Sequence, residues 1–164
     1  QPHLILDKKQ LEKRLSEKVK ALNKAGQFDE ANLFLKKIKK IPSKLYKAHA
    51  TAEKAMKKED FDKALKEYSN AKKYAEELEE DQLMLMYETK IKLAKKTPSL
   101  LKKREKILKK ALDNLRSDNF SKAQTFFKKA AAVSEKLMDT RSTEEYNLKA
   151  NALAEYVKVE NKFN

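Results

Sequence analysis

The sequence predicts an all-α protein, an antiparallel helical-hairpin solenoid of about eight helices. Glycine occurs once and proline three times in 164 residues, while Lys, Glu, Ala and Leu dominate, so most segments favour helix. One pattern occurs twice at an offset of 59 residues, because Lys44–Leu78 aligns without a gap on Lys103–Leu137. Phe61 then matches Phe120. A repeat of this length is typical of stacked helical arrays.

Two helices are predicted before residue 41. The first covers residues 8–25, because its apolar residues recur every three or four positions: Leu11, Leu15, Val19 and Leu22. Gly26 follows, at the position where a left-handed backbone commonly ends a helix. The second covers residues 28–40, and its predicted inward residues are Phe28, Ala31, Leu35 and Ile38.

Two prolines predict the starts of further helices, because proline is tolerated in a first helical turn. Pro42 predicts a third helix over residues 43–58. Thr97 followed by Pro98 combines an N-cap with a first-turn proline and predicts a sixth helix over residues 98–117. Both prolines are therefore expected to separate helices.

The remaining boundaries come from turns and acidic corners. Phe61 starts a fourth helix, and the acidic segment 76–81 predicts a corner before a fifth helix at 82–96. A single long helix over 61–96 is the alternative. The seventh and eighth helices are predicted at 120–138 and 142–160, which completes a pair followed by two triplets.

The helices form one predicted domain with short flanking segments. The expected segments are a disordered or extended stretch at 1–7, a helical-repeat domain at 8–160 with units 8–41, 42–96 and 97–160, and a tail at 161–164.

Three stretches resemble tetratricopeptide repeats: residues 25–38, 58–71 and 117–130. Each places an aromatic residue at the start of the second helix of a unit and a small Ala three residues later, as Phe61 and Ala64 do. The resemblance implies a right-handed solenoid with a concave face that binds a peptide or helix. Inserted third helices depart from that family. Three-helix units of this kind also resemble the microtubule-interacting-and-transport domain, which would imply binding to tail helices of membrane-remodelling filaments.

One internal difference favours a continuous array over separate three-helix units. Residues 83–87 read Leu-Met-Leu-Met-Tyr, whereas the equivalent residues 142–146 read Ser-Thr-Glu-Glu-Tyr. A helix packed between neighbours is expected to be apolar all round, and a terminal one is expected to face water.

The residue inventory argues against an enzyme. The chain has one glycine, two histidines and no cysteine, which leaves too few residues for a phosphate-binding loop, a histidine metal motif or a thiol nucleophile. We therefore predict no catalytic residues, no cofactor and no metal. The absence of cysteine and of a long apolar span favours a cytoplasmic location.

The net charge of +14 points to an acidic partner. Two lysine-rich runs lie 59 residues apart, so a regular array would place them on one basic edge: Lys36, Lys37, Lys39, Lys40, Lys44, Lys47, Lys95, Lys96, Lys102, Lys103, Arg104 and Lys106. Lysines that merely solvate helix ends are the alternative explanation. Arginine is rare and Trp absent, so sequence-specific nucleic-acid binding is not expected.

The resemblance to tetratricopeptide repeats also implies a partner groove, lined by Tyr46, His49, Met56, Leu108, Leu112, Leu115 and Arg116. The alternative is that the inserted helices fill this groove and make its leucines core residues. The sequence thus predicts a non-catalytic scaffold or adaptor that binds an acidic or amphipathic segment through groove and edge. A second hypothesis is peripheral binding of an anionic membrane or polyanion through the lysines.

Overall fold

The computed structural model describes residues 4–163, and all of its regular secondary structure there is helical. The helices are α1 (Lys8–Lys24), α2 (Phe28–Lys57), α3 (Phe61–Glu77), α4 (Asp81–Arg116), α5 (Phe120–Lys136), α6 (Thr140–Ala152) and α7 (Ala154–Phe163). The chain divides into two compact units, one ending at Lys95 and the other beginning at Lys96. Helix α4 contributes its first part to the first unit and its second part to the second unit.

The 59-residue repeat is visible in the helix boundaries. Helices α3 and α5 start 59 residues apart and are both 17 residues long. The ends of α2 and α4 and the starts of α4 and α6 keep the same offset. The duplicated sequence therefore builds duplicated helices.

The turns between helices repeat as well. Within residues 4–163, five turns place one residue at positive φ: Gly26, Glu59, Glu79, Asp118 and Met138. In each turn the next residue donates its backbone N–H to a carbonyl five positions earlier, as in the bonds from Asp60 to Ala55 and from Asn119 to Asn114. This pattern satisfies carbonyls that a helix end leaves free. Only the first turn uses glycine, the residue that adopts this backbone without steric cost.

The expectation that Pro42 and Pro98 separate helices was wrong. Both lie inside continuous helices, α2 and α4, and the described residues contain seven helices instead of eight. A proline in a helix interior removes one backbone hydrogen bond and costs about 3 kcal/mol, so packing must offset that cost. Pro42 is itself buried, and beside it a stripe of buried or part-buried residues of α2 keeps one alternating spacing of three and four across the proline: Ala31, Phe34, Ile38, Ile41, Leu45, Ala48, Ala52 and Ala55. An uninterrupted stripe of this kind favours one helix.

The ends of the chain also differ from the prediction. The eighth predicted helix is divided at Leu153 into α6 and α7, and α7 extends through residues 161–163, which were expected to form a tail. At the other end, Leu4 is buried and Asp7 caps α1 by accepting from the Gln10 backbone N–H. The prediction for residues 1–3 lies outside the described residues.

The first unit packs α1 and α3 against α2, and its core includes Leu11, Leu15, Leu45, Tyr68 and Leu78. Phe28 and Leu35, predicted to point inward, are exposed. The neighbouring Ala31 and Phe34 are buried instead, because they and not the predicted pair lie on the stripe of α2.

The second unit packs α5 against α6 and α7. Ala111 of α4, Phe127 of α5 and Ala150 of α6 form a buried cluster, against which Leu108 and Tyr146 pack.

Candidate functional site: an apolar hollow on helix α4

Side chains from three helices of the first unit form a polar cluster centred on Glu53. Its Oε1 accepts from Lys90 Nζ at 2.9 Å and lies 3.3 Å from His49 Nε2, while Tyr68 donates its hydroxyl to Oε2. The other imidazole nitrogen, His49 Nδ1, lies 3.0 Å from the Tyr87 hydroxyl. Helices α2, α3 and α4 each contribute to this cluster, so it ties the three together.

The electrostatics of this cluster follow from its contacts. Burial acts to raise the pKa of Glu53, but hydrogen bonds from His49, Tyr68 and Lys90 outweigh it and hold the pKa at about 2, below the ordinary 4.5. Burial, followed by the neighbouring Glu53 carboxylate, raises the pKa values of Tyr68 and Tyr87. Glu53 is therefore a carboxylate at neutral pH, and both tyrosines keep their protons.

The predicted groove residues of the first unit are occupied by internal contacts. Tyr46 donates to Glu12 at 3.3 Å and lies under Lys8, whose Nζ is 4.8 Å from the ring centroid. Burial and the Glu12 carboxylate raise the pKa of Tyr46 to about 12. His49 belongs to the polar cluster, and Met56 is part-buried on α2. This side of the predicted groove therefore makes bonds within its own unit.

The second unit replaces three residues of the polar cluster with apolar ones. At the 59-residue offset His49 becomes Leu108, Glu53 becomes Leu112 and Tyr68 becomes Phe127, while Lys90 remains a lysine as Lys149. The lysines keep their place: Lys90 Nζ lies 5.7 Å from the ring centroid of Tyr68, and Lys149 Nζ lies 6.0 Å from that of Phe127. The second unit thus keeps the cation and loses its internal carboxylate.

An open hollow of about 600 Å³ lies on this part of the second unit. The lining residues among those that the structure describes belong to α4: Lys102, Glu105, Lys106, Leu108, Lys109 and Leu112. Leu108 is part-buried against the Phe127 cluster, and Leu112 is 43% exposed. The hollow therefore combines two predicted groove leucines with two lysines of the predicted basic edge, Lys102 and Lys106.

The other predicted groove residues of the second unit lie outside the hollow. Leu115 is part-buried, and Arg116 is exposed and pairs with Asp113 at 3.8 Å.

The residues of the predicted basic edge lie on α2 and α4, and all but one are exposed. Arg104 is the exception, since its side chain is only 17% exposed and donates to Ser134 Oγ and Asp139 Oδ2, each at 3.0 Å. Its guanidinium is therefore committed inside the second unit. It occupies the position of the buried Leu45 in the first unit.

Three residues of this region were not among the predicted site residues: Glu105, Lys109 and Lys149. Lys109 follows Leu108 directly on the helix that lines the hollow, and Lys149 is identified by the same 59-residue offset that matches it to Lys90. A position-by-position comparison of the two copies at buried polar residues would have found the contrast between Glu53 and Leu112.

Residues 4–163 contain no group of three His, Cys, Asp or Glu side chains placed to hold a metal ion. Over the same residues no helix combines the length and apolar character needed to cross a bilayer.

Comparison with known proteins gives no assignment, because no protein-family model, curated protein or solved structure matches this chain.

Proposed function

We propose that this protein is a non-catalytic scaffold or adaptor that binds an acidic, amphipathic segment of another protein. The binding surface is the hollow on α4, which we call the leucine–lysine face: Lys102, Lys106, Leu108, Lys109 and Leu112. The wider architecture is proposed to be a tetratricopeptide-type array in which this face takes the place of the concave surface.

The observation that carries the proposal is the exposed Leu112 in an apolar hollow with a basic rim. Single exposed leucines are common on protein surfaces, but here Leu112 adjoins Leu108 one helical turn away and an empty volume large enough for partner side chains. Covering a leucine side chain is worth about 1–2 kcal/mol, so the face gains free energy when a partner's apolar side chains enter it.

The lysines give this apolar face its selectivity. Lys102, Lys106 and Lys109 recur every three or four residues, so they lie along one side of the helix beside the two leucines. Glu105, an acidic residue of the same lining, offsets only part of this charge. A partner with acidic residues beside its apolar stripe meets complementary charge, and a basic partner is repelled. An amphipathic helix presents both features at helical spacing.

The proposal is tested with a synthetic amphipathic helix that carries leucines on one face and glutamates beside them, called the acidic probe. A matched basic probe replaces each glutamate with lysine. Fluorescence anisotropy is expected to show binding of the acidic probe only, and Leu112→Asp is expected to raise its Kd at least about tenfold, because a charge enters the apolar contact. Leu33→Asp, at an exposed leucine of the first unit, is the control. Equal binding of both probes, or no effect of Leu112→Asp with helicity retained, would refute the proposal.

The net charge of +14 supports a second candidate, binding of anionic membranes or polyanions through the lysines alone. Salt separates the two. A lysine-driven interaction is lost as salt rises to physiological strength, whereas a contact that covers Leu108 and Leu112 keeps part of its affinity. Binding to phosphatidylserine vesicles that Leu112→Asp leaves unchanged would favour the second candidate.

A further inference from the structure

The comparison of the two units identifies a lysine that both units keep, although the second unit has leucine in place of the carboxylate that binds it in the first. In the first unit Lys90 is 9% exposed and donates to Glu53 at 2.9 Å. In the second unit the matching Lys149 is 50% exposed and pairs with Glu145, one turn earlier on α6, at 3.4 Å, and its neighbour Ala150 packs in one cluster with Ala111, the neighbour of Leu112. Exposed pairs of this i,i+4 type contribute about 0.3–0.5 kcal/mol, so Glu145 holds Lys149 only weakly.

The two lysines differ in burial, since the side chain of Lys90 is 9% exposed and that of Lys149 is 50% exposed, but their contact with an aromatic ring is alike. Each ammonium group lies about the same distance from the matching aromatic ring, 5.7 Å for Tyr68 and 6.0 Å for Phe127. Tyr68 donates to the Glu53 carboxylate, whereas phenylalanine has no hydroxyl to donate. In the second unit, therefore, Lys149 lacks the carboxylate that Lys90 binds in the first unit. Leu112 presents an apolar side chain instead.

We infer that the bound partner supplies this carboxylate, and that a Glu or Asp of its helix forms with Lys149 the ion pair that Glu53 forms with Lys90 in the first unit. This inference rests on the proposed function and makes it more specific. It adds Lys149 of α6 to the binding surface, and it requires one acidic residue of the partner to lie beside the apolar side chain that covers Leu112. The remaining acidic residues face Lys102, Lys106 and Lys109.

The test compares Lys149→Met with Lys158→Met, a matched control on α7 whose lysine is exposed and pairs with Glu155 at 3.5 Å. With the acidic probe at physiological salt, Lys149→Met is expected to raise Kd about five- to tenfold, as for loss of one close interfacial charge pair. Lys158→Met is expected to change Kd less than about twofold, because only long-range attraction is lost. Lys149→Gln repeats the measurement if the Met variant loses helicity.

A set of probes with one glutamate replaced by glutamine identifies the partner carboxylate. In wild-type protein, one such replacement is expected to weaken binding about five- to tenfold, and the same replacement is expected to have no further effect on Lys149→Met. Coupling at one position supports the inference. Additive losses at every position would overturn it, because they indicate general attraction between charges.

A glutamate introduced at position 112 provides an independent check of whether Lys149 binds the partner's carboxylate. Leu112→Glu supplies Lys149 with the residue found at position 53, so it is expected to weaken acidic-probe binding more than Leu112→Gln, which removes the apolar contact alone. Equal effects of Glu and Gln would contradict the inference.

The outcomes separate this inference from the proposed function. If the acidic probe fails to bind wild-type protein, or binds without dependence on Leu112, the proposed function is wrong and the inference falls with it. If binding depends on Leu112 but Lys149→Met behaves as Lys158→Met does, only the inference is wrong. Equal losses for the acidic probe and for phosphatidylserine vesicles in Lys149→Met would also overturn it.

Discussion

The two copies of the repeat share their helix and turn positions and differ in the side chains at the edge where Glu53 lies in the first copy. In the first unit Glu53 accepts from Lys90 and Tyr68 and lies beside His49. In the second unit Leu112 takes the place of Glu53, and it is 43% exposed. The shared helix and turn positions show that the core pattern sets the fold, whereas the edge is free to vary. The edge that is not closed by its own side chains is the better candidate for a partner.

The largest effect expected from this comparison comes from removing the central carboxylate of the first unit. Glu53→Leu leaves Lys90 buried without its partner, so we expect a loss of about 2–3 kcal/mol in the free energy of unfolding. Leu112→Glu, the reverse change at the matching position, is expected to alter stability by less than about 0.5 kcal/mol, because that side chain is half-exposed. Urea unfolding followed by circular dichroism measures both. Equal effects would mean that the two edges are energetically alike.

Transplanting the polar cluster into the second unit tests the equivalence directly. Phe127→Tyr adds a hydroxyl to a ring that is 3% exposed and has no Glu53 counterpart, so it is expected to destabilise by about 1–2 kcal/mol. Adding Leu112→Glu supplies the missing acceptor and is expected to recover about 1 kcal/mol. A double-mutant cycle in urea measures this coupling. Strictly additive effects would show that residues 112 and 127 do not form the hydrogen bond that Glu53 and Tyr68 form.

Acid is expected to weaken the first unit through Glu53. Because its folded pKa of about 2 lies below the ordinary 4.5, its stabilising contribution is complete above the unfolded pKa and is lost as the pH falls from about 4.5 towards about 2. The side chain is 39% exposed, so solvent screening reduces the effect to about 1 kcal/mol. Glu53→Gln lacks this titration. The free energy of unfolding, measured across this pH range, is therefore expected to fall more steeply in wild type than in Glu53→Gln. Parallel pH curves for the two proteins would contradict the lowered pKa of Glu53.

The smallest effect concerns the turns, where the two copies are expected to behave alike. Glu59 and Asp118 both have φ of 59°, a backbone that glycine adopts at lower steric cost. Glu59→Gly and Asp118→Gly are each expected to raise stability by about 0.5 kcal/mol, since both side chains are exposed. Thermal unfolding measures the gain. A gain in one turn and a loss in the other would show that the turns are not equivalent.

The sequence predicted the all-helical fold and the starts of the repeated helices α3 and α5, because glycine content, apolar spacing and the 59-residue offset act locally and repeat. It failed at Pro42 and Pro98, where burial along a whole helix outweighs a local helix-breaking preference. The unbroken three-and-four spacing across Pro42 was present in the sequence and carried the correct answer.

Part of the candidate site was also predicted from the sequence. Leu108, Leu112, Lys102 and Lys106 were predicted, in two separate groups that the structure brings to one hollow. Arg104 was included in the basic edge because its type and position suggested an exposed cation. Its bonds to Ser134 and Asp139 depend on the packing of α4 against the following helices, which residue spacing alone does not specify.

The most direct test of the central claim is to observe which copy responds to a partner. Backbone amide NMR shifts, recorded while the acidic probe is added at physiological salt, report every helix at once. We expect shifts concentrated at residues 102–112 and around Lys149, and essentially none at residues 46–57, where the polar cluster closes the first unit. Shifts concentrated at residues 46–57, or spread evenly over all lysines, would contradict the claim that the leucine–lysine face is the binding surface.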